Sequence, residues 1–427
     1  MELPRPIFQS FYDKVVKHIQ IASEEVSQDS IMRAAKEKKY LAVKDGEKDG
    51  ITVSGDGTWR KRGFFSLYGI VTLIGYKVGK IVDYTVQSKY CKACEYWKKH
   101  ADSEKYAEWL EAHKLERNVN HEGSSGKMEI DSAVEMFKRS EKLHKVRYAK
   151  YIGDGDAKTF KGIIDSKPYK KFNVVKKECV DHVQKRMGTR LRNLNKNNKG
   201  LAGKGKLTGK LIDELSIYYG LAIRRNSDSV EKMKNEIWAS IFHKLSTDDE
   251  PQHDRCPPGE DSWYSWQQAK ATNSLDQYTH KPALSDEVFE AIKPIYEDLS
   301  SEDLLTRCTG GYTQNNNECF NSTVWALAPK TMTSGKTVPD MATNIAVSIY
   351  NDGFSTIMSI LEVMGMKIRP NSYNFCLEVD AKRIEKAENS LSEAVKEARI
   401  MSRSTRKNKM DENFNLEGQL YGAGIAD

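Results

Sequence analysis

Tyr148-Ala149-Lys150-Tyr151-Ile152-Gly153-Asp154-Gly155-Asp156 runs from apolar and aromatic residues into two carboxylates separated by one glycine. This pattern is typical of a short buried strand that ends in a tight turn, and the glycines would let a ligand approach the carboxylates closely. Open α/β sheets commonly place their chemistry at the carboxyl ends of strands. A simpler interpretation, favoured by the stretch alone, is an Asp-Gly turn in which Asp156 caps the next helix.

The composition is that of a polar chain with room for a large core. Its 427 residues are 30% charged and 39% apolar, enough for one composite domain or two to three smaller ones. We find no apolar run near the roughly 20 residues that span a bilayer, and the first residues lack the apolar region of a secretory signal. Seven cysteines, two of them in a CxxC, favour a reducing compartment with metal-bound or free thiols over disulfides.

The net charge of +7 is unevenly distributed. Basic residues cluster at Arg60-Lys61-Arg62, from Lys185 to Lys210, and from Arg403 to Lys409. Such patches suit a phosphate backbone. Lysine-rich loops that are merely solvated are the alternative.

The order of predicted elements around Asp154 indicates an α/β fold. Residues 8–45 have helical spacing and predict two helices, and residues 51–59 predict a strand that carries Asp56. Glycine-punctuated β-formers at 63–74 and 78–86 complete an antiparallel meander of three strands. A helix at 127–145 leads to the strand before Asp154, and a strand at 172–180 and a helix at 181–194 follow.

This order is that of a ribonuclease H-like core, in which carboxylates from the first strand, the fourth strand and a late helix hold two divalent metals. Asp56 and Asp154 fall on the first two places. Glu318 suits the third, although a single acid in such a helix is more often a surface residue. The predicted divisions are an N-terminal helical region (1–48), the first part of the core (49–194) with a candidate zinc-binding insert (88–125), a mostly helical insertion domain (195–305), the second part of the core (306–370), and a charged helical or flexible tail (371–427).

Six motif blocks follow one another in the chain. They are Asp56-Gly57-Thr58-Trp59 with Lys61-Arg62-Gly63, Ser88-Lys89-Tyr90-Cys91-x-x-Cys94, Gly123-Ser124-Ser125-Gly126-x-Met128-Glu129, Gly153-Asp154-Gly155-Asp156, Cys179-x-x-His182-Val183-Gln184-Lys185-Arg186-Met187-Gly188, and Thr313-Gln314-Asn315-x-Asn317-Glu318-x-Phe320-Asn321. Together they resemble the Mutator-like transposase domain of many animal transposable elements, over essentially the whole chain.

The resemblance implies a DDE transposase of the Mutator superfamily, with a ribonuclease H-like fold interrupted by a helical insertion. It implies cut-and-paste cleavage and joining of double-stranded DNA at terminal inverted repeats and at a target. Asp56, Asp154 and Glu318 match the triad; the choice between Asp154 and Asp156 stays open, with Asp154 preferred as nearer the strand end. Two Mg²⁺ (or Mn²⁺) ions, a dimer or larger assembly and a nuclear location are the corresponding expectations.

This chemistry explains the need for three acids. Two Mg²⁺ ions about 3.5–4 Å apart can activate the attacking oxygen and stabilise the leaving one. Mg²⁺ prefers oxygen ligands, and clustered carboxylates repel one another without it.

Cysteines and histidines suggest zinc at two places. Cys91-x-x-Cys94 has His113 and His121 as further ligands; the family often has a cysteine just after the histidine, where this chain has Leu115, so the ligand set and a pair of free thiols both stay open. A second candidate pair is His253-x-x-Cys256, with His243 and Cys308 as outliers. The alternative there is a set of ordinary insertion-domain residues.

Two further motifs concern DNA and the active-site strand. Cys179-x-x-His182 places both side chains on one helical face, as a zinc pair or, the favoured interpretation, as buried residues that brace the strand. Trp263 is a candidate for holding an unstacked nucleotide, with core packing as the simpler alternative. The expected phosphate contacts are Arg60, Lys61, Arg62, Lys185, Arg186, Arg190 and Arg192, together with Arg224 and Arg225.

Three functions compete at this stage. The first is a metal-dependent transposase, which the intact acid set favours. The second is a domesticated, transposase-derived protein that binds DNA but no longer cuts it. A nuclease of RNA·DNA hybrids would share the acids but not the long insertion. We see no separate DNA-binding module ahead of Asp56, so recognition of transposon ends is expected from the N-terminal helices, the insertion and the tail.

Overall fold

The computed structural model describes residues 8–47, 49–60, 66–101, 104–114, 117–154, 157–201, 203, 206–260, 262, 264–280, 282–331 and 334–392. By its internal contacts the chain divides into two compact units, one of Ser27–Val347 and one of Met1–Val26 with Ser348–Asp427. No described helix combines the length and the apolar character needed to cross a membrane.

The described elements are five strands and fifteen α-helices. The strands are β1 Ile51–Trp59, β2 Tyr68–Gly75, β3 Lys80–Ser88, β4 Tyr148–Gly153 and β5 Val175–Glu178. The helices are α1 Gln9–Lys44, α2 Lys92–Trp97, α3 Glu104–His113, α4 Ser125–Leu143, α5 Ala157–Asp165, α6 Val180–Asn197, α7 Gly209–Arg225, α8 Val230–Leu245, α9 Ser265–Ala271, α10 Asp286–Leu299, α11 Glu302–Cys308, α12 Asn315–Leu327, α13 Thr337–Asp352, α14 Thr356–Val363 and α15 Pro370–Leu391.

The sheet has the strand order β3-β2-β1-β4-β5. β1, β2 and β3 pair antiparallel, whereas β4 runs parallel to both β1 and β5. The predicted α/β class, with an antiparallel meander joined to parallel strands, is confirmed. Because β1, β4 and β5 point the same way, their carboxyl ends lie at one edge of the sheet.

Large side chains fill the core beside the sheet. Phe137 of α4 is fully buried and packs edge-on against Tyr148 and Tyr151 of β4. Ser124 caps α4, since its side chain accepts a hydrogen bond from the Lys127 amide. The aromatic contacts therefore hold α4 against β4.

A second core lies among helices α6, α7, α8, α10 and α11. It contains Val183 and Met187 of α6 together with Leu215 of α7 and Ile237 of α8. The helices between residues 195 and 305 therefore pack on α6 as well as on one another.

One prediction about the first residues was wrong. Residues 9–44 form a single helix of 36 residues instead of two. No glycine or proline interrupts this segment, so nothing in it breaks the backbone hydrogen-bond ladder.

Candidate active site

Two of the predicted acids lie at the same level of neighbouring parallel strands. Ser54 of β1 is the partner of Ile152 of β4, and Asp56 and Asp154 each follow two residues later. Adjacent strands are about 4.8 Å apart. Asp56 is half-buried and Asp154 is exposed at the strand end, so one open face of the sheet edge carries both carboxylates.

Helix α12 is fixed along β1 by buried amide side chains. Asn317 is fully buried; its Oδ1 accepts a hydrogen bond of 2.7 Å from the Ser54 hydroxyl, and its Nδ2 donates one of 3.2 Å to the Ser54 carbonyl. Gln314 Nε2 donates to the Gly55 carbonyl at 2.7 Å. The helix satisfies polar groups of the strand that packing alone would leave unpaired.

The same helix face continues these contacts toward the acid. Asn321 Nδ2 donates to Asp56 Oδ2 at 2.7 Å, and Trp325 Nε1 donates to the Thr58 hydroxyl at 2.8 Å. Positions 314, 317, 321 and 325 share one face of a helix because they are three or four residues apart. The register between α12 and β1 is thus determined residue by residue.

Glu318 lies in the first turn of this helix and is exposed. The negative charge of Glu318 acts on the Asp56 carboxyl and helps to raise its pKa. Burial is the main cause that raises the pKa of Asp56 to about 6, and the charges of Asp154 and Glu318 act in the same direction, while the hydrogen bond from Asn321 opposes them. The structure therefore brings the three predicted acids into one electrostatically coupled group.

Sequence reasoning missed the residues that position this group. Gln314, Asn317 and Asn321 had been quoted only as part of a motif; their three- and four-residue spacing was the available signal. A further acid, Glu129 of α4, approaches β1, since a Cβ atom on Gly57 would lie 3.1 Å from Glu129 Oε2.

The Cys179-x-x-His182 motif joins three parts of this site. Cys179 is buried at the start of α6, and its amide donates to the Gly153 carbonyl at 3.3 Å, at the end of β4. Burial is the main cause that raises the pKa of its thiol, although the Gln314 amide, at the start of α12, donates to the sulfur and opposes that rise. Among the described residues, neither Cys179 nor His182 belongs to a group of three metal-ligating side chains. The contacts fit a brace between strand and helices.

Cys91, Cys94 and His113 come together, with ligand atoms within 4.8 Å of one another. Cys91 Sγ lies 3.2 Å from His113 Nε2. Burial acts to raise the pKa of Cys91, but hydrogen bonds from the Asn118 and Cys94 amides and from His113 outweigh it and lower that pKa to about 7. His121 is not in this group; its Nδ1 lies 3.5 Å from the Asp131 carboxylate.

His243, His253 and Cys256 form a second group, again with ligand atoms within 4.8 Å of one another. Burial is the main cause that lowers the pKa of both histidines to about 4 and raises that of Cys256 to about 12. Cys308, predicted as an outlier of this site, instead lies in the helical core of α6, α7 and α8. Its burial among apolar side chains explains its position.

Most arginines predicted to contact DNA have acidic partners within the chain. Arg60 instead donates to the Ser334 side chain and carbonyl. Lys185 is exposed, and the structure assigns it no salt bridge with any residue that it describes. Lys61, Arg62, Asp156 and Trp263 lie outside the described residues, so their roles stay predictions. The paired arginines are Arg186 with Glu178, Arg190 with Asp298, Arg192 with Asp213, Arg224 with Asp181, and Arg225 with Glu236.

Comparison with known proteins adds one finding. A family model described as Mutator-like transposase matches residues 1–263. The matched segment includes Asp56, Asp154 and Cys179-x-x-His182, whereas Glu318 lies beyond it. No curated protein and no solved structure matches the chain.

Proposed function

The chain belongs to the Mutator-like transposase family, and from that premise we propose that it is a cut-and-paste DNA transposase with a ribonuclease H-like core. The observation that carries the proposal is the seating of α12 on β1, which places Glu318 close enough to Asp56 for its charge to raise the pKa of that carboxyl. Asp154, at the end of the neighbouring parallel strand, completes the set.

The donor set fits hard divalent cations. Asp56, Asp154 and Glu318 offer carboxylate oxygens, which Mg²⁺ and Mn²⁺ prefer. Their mutual repulsion adds to burial in raising the pKa of Asp56, and a bound cation would relieve that repulsion. When bound, two such ions would activate the attacking water or 3′-hydroxyl and stabilise the leaving oxygen.

Residues of the chain itself do the positioning. The hydrogen bond from Asn321 to Asp56 Oδ2 fixes the orientation of that carboxylate. Asn317 holds α12 on the strand one turn before Asn321, so that Glu318 is carried on a rigid support. Such pre-organisation matters because small displacements of a catalytic group are costly to rate.

DNA would lie across the edge that carries the acids. Helix α6 starts next to the end of β4 and carries the exposed Lys185, a suitable phosphate contact. Arg60 comes directly after the end of β1, the strand that carries Asp56, and is held by Ser334. We propose that a dimer or larger assembly acts in the nucleus on paired terminal inverted repeats and on target DNA.

A zinc ion at Cys91, Cys94 and His113 belongs to the same proposal. The thiols and imidazole are ligands that zinc favours, and Trp109 stacks on His113 with ring centroids 4.6 Å apart. Zinc there would stabilise the short helices α2 and α3, which otherwise bury few side chains.

Strand cleavage and transfer on labelled DNA carrying the element's terminal repeats tests the proposal. We expect cutting that needs Mg²⁺ or Mn²⁺, is lost in Glu318→Gln and is retained in Glu302→Gln, an exposed helix acid outside the group. Tight binding without cutting, equal in wild type and Glu318→Gln, would support instead a domesticated DNA-binding protein.

A further inference from the structure

The group formed by His243, His253 and Cys256 shares no residue with the acid group of Asp56, Asp154 and Glu318. His243 Nδ1 is 3.3 Å from His253 Nδ1, and Cys256 Sγ is 3.7 Å from the same nitrogen. Cys256 and His253 are almost completely buried. Three ligand atoms of the types that zinc prefers therefore converge on one point away from bulk water.

A chain of polar contacts orients His253 toward this point. His253 Nε2 lies 2.9 Å from His280 Nε2, and His280 Nδ1 lies 2.7 Å from Asp248 Oδ1. A carboxylate only accepts, so His280 Nδ1 carries the proton and donates to it. His280 Nε2 must then accept from His253 Nε2–H, which leaves the lone pair of His253 Nδ1 directed at His243 and Cys256. Carboxylate–histidine contacts of this kind set the tautomer of metal ligands.

The surrounding segment has little regular structure. Among its described residues, the seven-residue helix α9 and the short 3₁₀ turn Leu275–Gln277 are the helical elements between α8 and α10. The apolar cluster there consists of Ala239, Cys256 and Tyr264. A segment of this length with so small a core is commonly stabilised by a metal or a disulfide, and a disulfide is excluded because all cysteines that the structure describes are free.

The loop backbone is already shaped around the group. Gln267 Nε2 donates to the carbonyl oxygens of His253 and Cys256, at 3.0 and 3.2 Å. Trp266 stacks on the His253 ring with centroids 4.2 Å apart. The Gln267 hydrogen bonds hold the backbone of both loop residues, and the Trp266 ring holds His253. Neither contact uses a ligand atom.

We propose that His243, His253 and Cys256 bind a structural Zn²⁺ ion that fastens the segment between α8 and α10 to the end of α8. Asp248 and His280 are positioning residues, which act through His253. The cavity of about 690 Å³ that His243 and His280 border leaves room for a water molecule as the fourth ligand. This zinc site does not depend on the proposed strand cleavage. If no zinc binds here, the proposal for Asp56, Asp154 and Glu318 is unaffected.

Zinc content and affinity of the full chain test the proposal. The parent should carry Cys94→Ser, which removes the other zinc candidate. In that parent, elemental analysis should find one zinc ion per chain, lost on Cys256→Ser and kept on Cys319→Ser, an exposed cysteine. Asp248→Asn should weaken zinc binding by about 10- to 100-fold in competition with a chromophoric chelator. Zinc content unchanged by Cys256→Ser would overturn the assignment.

A measurement on the unaltered chain covers the case in which a variant fails to fold. Limited proteolysis before and after chelation should show faster cleavage between residues 246 and 285 when zinc is removed, restored by adding Zn²⁺ alone. Unchanged cleavage after complete removal of the metal would refute the fastening role.

Discussion

Replacing Asn317 by leucine should loosen α12 from β1. Asn317 is fully buried and makes two hydrogen bonds to Ser54. Each hydrogen bond contributes about 1 kcal/mol net. Leaving the buried Ser54 hydroxyl without its partner costs about 1–2 kcal/mol more. We therefore expect the opening free energy of this contact to fall by about 3–4 kcal/mol, a roughly 140- to 700-fold change in the opening equilibrium.

Hydrogen exchange measured by mass spectrometry reports this opening locally, which matters because a chain of this size need not unfold in one step. Peptides covering β1 and α12 should exchange faster in Asn317→Leu by the factor given above. Asn315→Leu is the matched control, since Asn315 is exposed in the same helix, and its effect should stay within about 0.5 kcal/mol.

A double-mutant cycle identifies the cause. In a Ser54→Ala background the hydroxyl contributes neither a hydrogen bond to lose nor a polar group to strand, so Asn317→Leu should be milder there by about 2–3 kcal/mol. Cleavage should fall about 100-fold in Asn317→Leu if Glu318 is displaced by about 1 Å, while DNA binding persists. Equal exchange in Asn317→Leu and Asn315→Leu, or strictly additive effects with Ser54→Ala, would show that the Asn317–Ser54 hydrogen bonds do not hold α12 on β1.

Three other predictions concern stability, DNA and zinc. Burial alone would raise the pKa of Glu178, but the cations around it hold that pKa below its ordinary value. Glu178→Gln should therefore lower the free energy of unfolding by about 2–4 kcal/mol at neutral pH. This stabilisation is full above the unfolded-state pKa of about 4.3 and is lost as the pH falls through the folded-state pKa, so the two denaturation curves should converge in acid; a constant difference would contradict this. Lys185→Ala should reduce the salt slope of DNA binding by about 1, whereas Arg192→Ala, which removes a side chain already paired with an acid, should change it less; equal slopes would speak against the assignment. Cys94→Ser should remove zinc that Cys319→Ser retains, as measured by elemental analysis, and identical metal content in both would rule out the Cys91 site.

The order of elements along the chain could be predicted because each element carries a local signal. Alternating β-formers with glycines marked the meander, and the apolar run before Asp154 marked β4. The pairing of α12 with β1 could not be predicted, because it joins Ser54 to a residue 263 positions later; the spacing of the amide residues indicates that they share a helix face but not which strand that face contacts. Local sequence patterns do not indicate contacts between residues that lie so far apart in the chain.

The candidate zinc ligands show the same limit. Spacing was enough to pair Cys91 with Cys94 and His253 with Cys256. It predicted both His113 and His121 beside Cys91, but only His113 is grouped with the two cysteines among the described residues, because His121 contacts Asp131 instead. Nor did it reveal His280, whose role depends on a contact across the loop with His253.

The most direct test of the metal-dependent acid group is strand cleavage by Asp154→Cys, assayed in parallel with Mg²⁺ and with Mn²⁺. Asp154 is exposed at a strand end, so the substitution should leave the fold intact. Mg²⁺ requires oxygen ligands, whereas Mn²⁺ tolerates sulfur better. If Asp154 is a metal ligand, we expect no cleavage in Mg²⁺ and partial recovery in Mn²⁺. Full activity of Asp154→Cys in Mg²⁺ would contradict this expectation, because Asp154 would then not be a metal ligand.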